Sequence, residues 1–189
     1  MTSRPHILAR IAGDAGVTLV SDMSSVDEHK SYAPQLLAFA VLTASDSRTD
    51  EDDGSGRRIV AMATAAGHKI VGRTVVKDDQ RSIRSAVKEA LKSGADVVVL
   101  NGGTGFAGRD VSVEAVEPLL ERMIEGFGEL FRMLSFEQVG PAAMLSRAVA
   151  GVAGRSVVFV LPGSPKAVEL AMTKLILPEA AHLLGQIRR

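Results

Sequence analysis

Residues 97–108 read VVVLNGGTGFAG, and they carry the clearest signal of the fold class. It joins an aliphatic run at residues 97–100 to a segment, residues 102–105, in which three of the four residues are glycine. A short uninterrupted aliphatic run is typical of a strand buried on both faces in the middle of a parallel sheet. Glycines directly after such a strand leave backbone N–H groups uncovered, so they can line a concavity for a phosphate or diphosphate. The stretch therefore predicts a parallel strand with an anion site at its carboxyl end, although a simple tight turn also explains glycines here.

On both sides of this stretch, strand-like and helix-like segments alternate. Strands are predicted at residues 36–43, 69–76, 96–100 and 155–161, with helices at 56–66, from about 81, at 126–139 and from 165 to about 185. Such alternation predicts an open α/β sheet with right-handed crossovers, whose ligands gather at the carboxyl ends of the strands. Residues 1–34 lack sustained periodicity, so we interpret them as an N-terminal extension before one domain at residues 35–189.

The composition argues against several classes of protein. The 22 basic and 22 acidic residues cancel, which leaves no electrostatic footprint for nucleic acid or for an anionic membrane. The aliphatic runs are far too short to span a bilayer. Cysteine is absent and the four histidines are scattered, so any bound metal should have oxygen ligands. The N-terminus has no signal-peptide pattern, and we therefore expect a cytoplasmic location.

The glycines also spell Gly103-Thr-Gly105-Phe-Ala-Gly108, the G-x-G-x-x-G pattern of dinucleotide-binding turns. That pattern has meaning only when it follows the first strand of a domain and opens a helix. Here it follows the third predicted strand, and Pro118 breaks the next helix soon afterwards. The context argues against a nicotinamide or flavin site and leaves the phosphate-binding interpretation.

Carboxylates follow three of the predicted strands at the same edge of the sheet. They are Asp46 and residues 50–53 after the first strand, Asp78 and Asp79 after the second, and Asp110 after the third. Carboxylates beside a phosphate suit Mg²⁺, which takes one or two of them together with phosphate oxygens and water. Each aspartate also fits a solvated loop or a helix cap. Their delivery by three separate loops to one edge favours a site.

A fourth loop at this edge reads Pro162-Gly-Ser-Pro165 and begins a helix. Its Ser164 hydroxyl and the helix N-terminus can hold a second anionic group. Ser164 as N-cap with Pro165 at the first helical position is also ordinary helix-start chemistry. The two interpretations are compatible.

From about residue 37 onward, the chain resembles the molybdenum cofactor biosynthesis protein B / molybdopterin adenylyltransferase (Mog) family. The resemblance is carried by Ser45-Asp-Ser-Arg48, Asp53-Gly-Ser-Gly56, Gly102-Gly-Thr-Gly105, Arg109-Asp-Val111, Glu125-Gly-Phe-Gly128, Leu145-Ser-Arg-Ala148 and Leu161-Pro-Gly-Ser-Pro165. It implies a three-layer molybdopterin-binding α/β fold, with a mostly parallel open sheet and helices on both faces. It also implies a homo-oligomer, either a trimer or a hexamer, and contact with other proteins of the pathway.

The resemblance further implies a nucleotidyltransferase that binds molybdopterin and adenylylates it with ATP and Mg²⁺, releasing pyrophosphate. By position it implies that Asp53, Asp78 and Asp110 are catalytic, and that Asp78 and Asp110 hold the metal. The implied substrate- and nucleotide-binding residues are Ser45, Asp46, Gly102, Gly103, Thr104, Gly105, Pro162, Gly163 and Ser164. Adenylyltransferase members commonly carry Thr-Pro where this chain has Ser112-Val113, and Asn in place of Ser164. A non-catalytic molybdopterin-binding or partner-binding protein of the same pathway is therefore the alternative.

One predicted helix carries an apolar stripe of Phe127, Leu130, Phe131 and Leu134. Such a stripe usually packs into the core, so it predicts no cofactor site. Together with the resemblance, it leads us to expect that part of the apolar surface is buried between subunits around a three-fold axis.

Overall fold

A six-stranded sheet organises residues 36–189, the part of the chain that the computed structural model describes. The extension predicted at residues 1–34 lies outside these residues. The strands are β1 (Ala38–Ala44), β2 (Lys69–Val76), β3 (Val97–Asn101), β4 (Arg122–Met123), β5 (Val149–Ala153) and β6 (Ser156–Leu161). They lie in the order β2-β1-β3-β6-β5-β4. Neighbours among β2, β1, β3 and β6 are parallel, whereas β5 and β4 complete the sheet with antiparallel pairs.

Within residues 36–189, six α-helices connect or follow these strands. They are α1 (Gly54–Ala65), α2 (Gln80–Lys92), α3 (Ser112–Val116), α4 (Glu125–Val139), α5 (Pro165–Ala171) and α6 (Leu177–Ile187). A π-helical segment, Met172–Ile176, joins α5 to α6. Pro118 lies in a 3₁₀ turn, Glu117–Leu119, directly after the short α3, which confirms that the helix after the glycines is broken near this proline. Within residues 36–189, every helix is too short or too polar to cross a bilayer.

The sheet separates two apolar cores because successive side chains of a strand point to opposite faces. Phe39 and Val41 of β1 pack in one core with residues of α1, α4, α5 and α6. Ala40 and Leu42 pack in the other core with residues of α2 and α3. The fold is therefore a three-layer α/β structure with a mostly parallel sheet, as predicted.

The apolar stripe predicted on α4 is divided between the core and the surface. Phe127 and Phe131 are 5% and 1% exposed, and Leu134 packs against the same core, whereas Leu130 is 46% exposed. The other exposed apolar side chains of this helix are Met133, Phe136 and Val139. We call Leu130, Met133, Phe136 and Val139 the α4 apolar surface. The expectation that the stripe packs into the core is therefore confirmed for Phe127, Phe131 and Leu134, and it is wrong for Leu130, which the neighbouring elements leave exposed.

The antiparallel edge of the sheet was not predicted from the sequence. β4 has only two residues, both exposed, so it carries no alternation of apolar and polar side chains. Its pairing with β5 depends on Gly151, where an added Cβ would lie 2.8 Å from the carbonyl oxygen of Arg122. This close approach between backbones is a tertiary contact and leaves only a single glycine as its trace in the sequence.

Candidate active site

A cavity of about 670 Å³ lies at the carboxyl edge of the parallel strands. Because β1, β3 and β6 are parallel neighbours, the loops that follow them meet there. The lining residues are Thr43, Ala44, Ser45, Ser47 and Arg48 at the end of β1 and after it, Asn101, Gly102, Gly103, Thr104, Gly105 and Asp110 at the end of β3 and after it, Pro162, Gly163, Ser164 and Pro165 after β6, and Ala142, Leu145 and Ser146 before β5. The structure thus brings together nine of the predicted site residues. Asp46, Asp53 and Asp78 are not among the lining residues.

One wall of the cavity is formed by residues 102–105, three of which are glycine, and we call it the glycine wall. Its backbone leaves little room for added side chains. Gly102 and Gly103 have φ values of +95° and +60°, a region that residues with a Cβ rarely adopt. An added Cβ on Gly102 would lie 2.3 Å from the carbonyl oxygen of Ala44, and one on Gly163 would lie 3.0 Å from the Cα of Gly102. The loops after β1, β3 and β6 therefore pack backbone against backbone. This wall is tighter than a simple turn requires.

Asp53 lies beneath the cavity and is fully buried. It is the N-cap of α1, since its Oδ1 accepts a hydrogen bond of 2.8 Å from the Gly56 N–H. Its Oδ2 accepts bonds of 2.9 Å from the Thr43 hydroxyl and 3.0 Å from Arg73 Nη1. These contacts satisfy the carboxylate and match the helix-cap interpretation. The catalytic role implied for Asp53 stays a prediction, and the observed geometry favours an anchoring role.

Asn101 connects this buried carboxylate to the glycine wall. Its side-chain amide donates to the Thr43 Oγ1 at 2.8 Å and to the Leu42 carbonyl at 3.0 Å. Thr43 in turn donates to Asp53. Because Asn101 is the residue before Gly102, this chain of hydrogen bonds fixes the start of the glycine wall to the end of β1.

Asp46 and Asp78 join the loops after β1 and β2. The Asp46 N–H donates to Asp78 Oδ2, and the Asp78 N–H donates to Asp46 Oδ1, both at 3.2 Å. Burial raises the pKa of the Asp78 carboxyl, and the charges of Asp46 and Asp110 raise it further. The remaining oxygen, Asp78 Oδ1, is buried and has no hydrogen-bond partner among the described residues. It lies 2.8 Å from the position of an added Cβ on Gly103, directly behind the glycine wall.

Asp110 lines the cavity and holds the second half of the loop after β3. Its Oδ2 accepts a hydrogen bond of 2.9 Å from the Ala107 N–H and lies 2.6 Å from the position of an added Cβ on Gly105. The N-cap of α3 is Val111, which makes no side-chain cap bond, so the helix-cap alternative for Asp110 is wrong. At α2 the cap is Asp79, which accepts bonds from the N–H groups of Arg81 and Ser82, and this leaves Asp78 free of that role.

The carboxylates of this edge do not form a complete metal cage. Among residues 36–189 there is no cluster of three or more histidine, aspartate or glutamate side chains suited to a metal ion. The charge of Asp110 is close enough to raise the pKa of Asp78, and Asp78 retains one oxygen with no hydrogen-bond partner among the described residues. This donor set fits a hard cation that takes one or two carboxylates and completes its shell with water and phosphate oxygens.

The loop after β6 confirms the helix-start interpretation of its sequence. The Ser164 Oγ accepts a hydrogen bond of 3.2 Å from the Ala167 N–H, and Pro165 is the first residue of α5. The Ser55 hydroxyl donates to the Gly163 carbonyl at 2.9 Å and so anchors this loop to α1. Because Gly163 and Ser164 also line the cavity, the anion-binding interpretation stays open beside the structural one.

Two arginines at this site were not predicted as site residues. Arg48 is the cationic side chain among the lining residues. Arg147 contacts the outside of the loop after β3, donating to the Thr104 and Asp110 carbonyls at 3.0 and 2.8 Å. Both belong to motifs that carry the family resemblance, and that membership was the available signal. Local sequence gives no reason to place Arg147 against a loop about 40 residues earlier in the chain.

Comparisons with known proteins show the family of this chain. The probable molybdopterin binding domain family matches residues 40–182. Molybdenum cofactor biosynthesis protein B of Bacillus cereus is 51% identical over 167 residues, which cover 87% of this chain and 99% of the relative. A crystal structure of molybdenum cofactor biosynthesis protein B superposes with a TM-score of 0.80 at 50% identity, covering 83% of this chain and 99% of the other.

A second solved structure is also similar to this chain. The tungsten cofactor synthesizing protein MoaB from Pyrococcus furiosus is 40% identical, with a TM-score of 0.78, and the match covers 83% of this chain and all of that chain (100%). Its fold and its length therefore correspond to those of the domain described here. The chain belongs to the molybdenum cofactor biosynthesis protein B and Mog family of molybdopterin-binding proteins, which places it in molybdenum cofactor biosynthesis.

Proposed function

We propose that this protein binds molybdopterin in the cavity and adenylylates it with ATP and Mg²⁺, releasing pyrophosphate. The observation that carries the proposal is the glycine wall, where backbone with positive φ lines the cavity beside Asp110. Such a wall presents N–H groups to a phosphate without side chains in between. Membership of the family supports molybdopterin as the ligand, and the glycine wall is the proposed binding site of its phosphate.

The reaction asks little covalent chemistry of the protein. An oxygen of the terminal phosphate of molybdopterin attacks the α-phosphorus of ATP, and the bond from that phosphorus to the oxygen of the leaving pyrophosphate breaks. A phosphate oxygen is already a competent nucleophile, so no histidine base is needed. The protein has to hold two polyanions in line and to counter their charge.

The lining residues support a division of these tasks. We assign the molybdopterin phosphate to the glycine wall, with Arg48 as a nearby positive charge. We assign a second anionic group to the loop after β6, where Ser164 precedes the N-terminus of α5. Asp78 and Asp110 would hold Mg²⁺, which supplies positive charge to the ATP phosphates.

A non-catalytic molybdopterin-binding or partner-binding protein is the alternative. Two observations on the carboxylates favour it. Both oxygens of Asp53 accept hydrogen bonds from other parts of the protein, and residues 36–189 contain no cluster of three or more acidic or histidine side chains that could hold a metal ion. The departures at Ser112-Val113 and Ser164 point the same way. Both functions use the same cavity, so only a measurement of product formation distinguishes them.

The test is incubation of the purified protein with molybdopterin, ATP and Mg²⁺, followed by separation of adenylylated pterin and pyrophosphate. In Asp110→Asn, product formation should fall most at limiting Mg²⁺, while molybdopterin affinity changes by less than about threefold, because an interaction made mainly in the transition state affects turnover. Asp79→Asn is the matched control, since Asp79 caps α2 and is not among the lining residues.

Two outcomes would change the proposal. Unchanged turnover in Asp110→Asn would remove this carboxylate from the mechanism. A parent protein that binds molybdopterin but makes no product at any Mg²⁺ concentration would favour the non-catalytic alternative.

We also propose that the protein assembles as a trimer or a hexamer through the α4 apolar surface. Its four large apolar side chains are 46–59% exposed on one helix, and Met144, which follows in the next segment, is 76% exposed. Successive members are three residues apart and so are neighbours on the helix, and exposed apolar surface of this kind marks interaction sites in proteins. Binding of other pathway proteins and a cytoplasmic location belong to the same proposal.

A further inference from the structure

We infer that Arg147 is a positioning residue that ties the glycine wall to a second wall of the cavity and so sets the shape of the anion site. Arg147 directly follows Leu145 and Ser146, which line the cavity, but its own side chain is not among the lining residues. Its guanidinium group donates to the carbonyl oxygens of Thr104 and Asp110, at 3.0 and 2.8 Å. Both acceptors belong to the loop that forms the glycine wall, so one side chain joins the two walls.

This loop depends on such a tie because residues 102–111 contain no helix or strand. Its own bonds are few: the Ser112 N–H donates to the Gly103 carbonyl at 2.9 Å, the Asp110 N–H donates to the Ala107 carbonyl at 2.8 Å, and the Ala107 N–H donates to the Asp110 carboxylate at 2.9 Å. The two carbonyl oxygens that accept from Arg147 belong to Thr104, near the start of the loop, and to Asp110, near its end. The guanidinium group therefore brackets the part of the loop that carries the cavity-lining carboxylate.

Planarity of the peptide bond explains how a contact outside the cavity can shape its inside. The carbonyl of Thr104 and the N–H of Gly105 belong to one trans peptide plane and point in opposite directions. When Arg147 holds the Thr104 oxygen, the N–H of Gly105 must point away from Arg147. Gly105 lines the cavity, so this contact selects the direction in which a donor of the glycine wall is presented.

The remaining contacts of Arg147 make its role geometric. A third nitrogen, Nη1, pairs with the Glu114 carboxylate, and this hydrogen bond lowers the pKa of Glu114. The guanidinium carbon lies 5.3 Å from the centre of the Phe106 ring, within the same loop. A planar group with five donors can make these contacts together, whereas a lysine nitrogen cannot span them. Because Glu114 balances the positive charge, orientation of the loop is the main contribution.

The inference is tested with Arg147→Lys and Arg147→Ala in the full chain. Amide hydrogen exchange of residues 102–111 should become about tenfold faster or more, since two hydrogen bonds to a charged donor are lost. Molybdopterin, used as the ligand, should bind about tenfold more weakly. In Arg147→Ala, added guanidinium ion should restore affinity, whereas the same concentration of urea should not.

Arg188→Lys is the matched control. The Arg188 side chain is 26% exposed, compared with 22% for Arg147, and it also pairs with a carboxylate, Asp96, while donating to the Arg155 carbonyl. Asp96 precedes β3, so these contacts lie at the opposite edge of the sheet from the cavity. This variant should leave both the loop exchange and the molybdopterin affinity unchanged.

The ligand measurement rests on the proposed function, and the exchange measurement does not. Loop exchange like that of the parent in a folded Arg147→Lys protein would overturn the positioning role. The same holds if exchange rises equally across the whole domain, because that result means a general loss of stability. Faster local exchange in a protein whose parent does not bind molybdopterin would support the positioning role and contradict the proposed function.

Discussion

Replacing Asp53 by Asn distinguishes an anchoring carboxylate from a catalytic one. Asparagine has nearly the same shape and keeps one oxygen, which can still cap α1 by accepting from the Gly56 N–H. The NH₂ group of the asparagine takes the place of Oδ2 and faces two donors, the Thr43 hydroxyl and Arg73 Nη1. The hydroxyl can rotate, but the guanidinium group is a donor only. The variant therefore loses a charge-assisted hydrogen bond at a fully buried site.

The magnitude follows from the burial of this contact. Hydrogen bonds to charged groups contribute about 1.5–3 kcal/mol, and breaking a buried ion pair costs about 3–5 kcal/mol. Arg73 is 24% exposed and also donates to the Asp50 carbonyl, so it keeps a partner and some access to water. We therefore expect the free energy of unfolding to fall by about 2–4 kcal/mol, which is below the upper end of that combined range. With a urea dependence of about 2 kcal/mol per molar, the midpoint should fall by about 1–2 M.

The assay is urea unfolding followed by circular dichroism, with Asp79→Asn as the control. Asp79 is also an N-cap aspartate, but it is exposed and bonds only within the first turn of its own helix, to Arg81 and Ser82, so its variant should lose much less stability than Asp53→Asn. A midpoint for Asp53→Asn equal to that of the parent would refute the anchoring role. Loss of adenylylation with unchanged stability would restore the catalytic assignment.

Three further predictions concern the glycine wall, the raised pKa and the assembly. In a fluorescence titration, Gly103→Ala should bind molybdopterin about tenfold more weakly or worse, because its φ is +60° and the new Cβ would lie 2.5 Å from the Ser112 Oγ. Gly54→Ala is the control and should bind normally, since no non-neighbouring atom lies within 4 Å of its Cβ. Asp78→Asn should raise the urea midpoint at pH 7, because the raised pKa means that ionisation of Asp78 destabilises the fold progressively as pH rises above its ordinary pKa of 3.8. That gain should disappear near pH 3, where the parent carboxyl is also neutral, and a gain that persists there would contradict this cause. Phe136→Glu should give a monomer by light scattering, since a charge would be buried in the proposed interface; an unchanged mass would exclude this surface.

Much of the fold could be predicted because the responsible signals are local. The apolar residues of β3 are consecutive, and the helical residues Ile83, Val87 and Leu91 repeat every four positions, so each element is visible within a short window. Parallel pairing then follows from the alternation of strands and helices. The cavity was predictable for the same reason, since the ends of parallel neighbours must meet at one edge.

The α4 helix and the edge strand β4 show where such prediction stops. The stripe of Phe127, Leu130, Phe131 and Leu134 has the spacing of one helical face, but periodicity does not say how wide a face the neighbouring sheet covers. The core takes Phe127 and Phe131 and leaves Leu130 exposed. β4 is too short for any pattern, and only its partner strand makes it a strand.

Local sequence alone encodes the parallel strands with their alternating helices, the glycine wall and the edge of the sheet where the site forms, because adjacent residues suffice to specify these features. The tertiary structure decided the roles of the polar residues at that edge. Asp53 is an anchor because Thr43 and Arg73 arrive from two other segments, and Arg147 reaches the Thr104 carbonyl across 43 positions of the chain. A carboxylate or guanidinium group has the same local sequence whether it faces a ligand or a buried donor. Its role is set by which distant groups satisfy its hydrogen bonds, and that is settled only when the chain is folded.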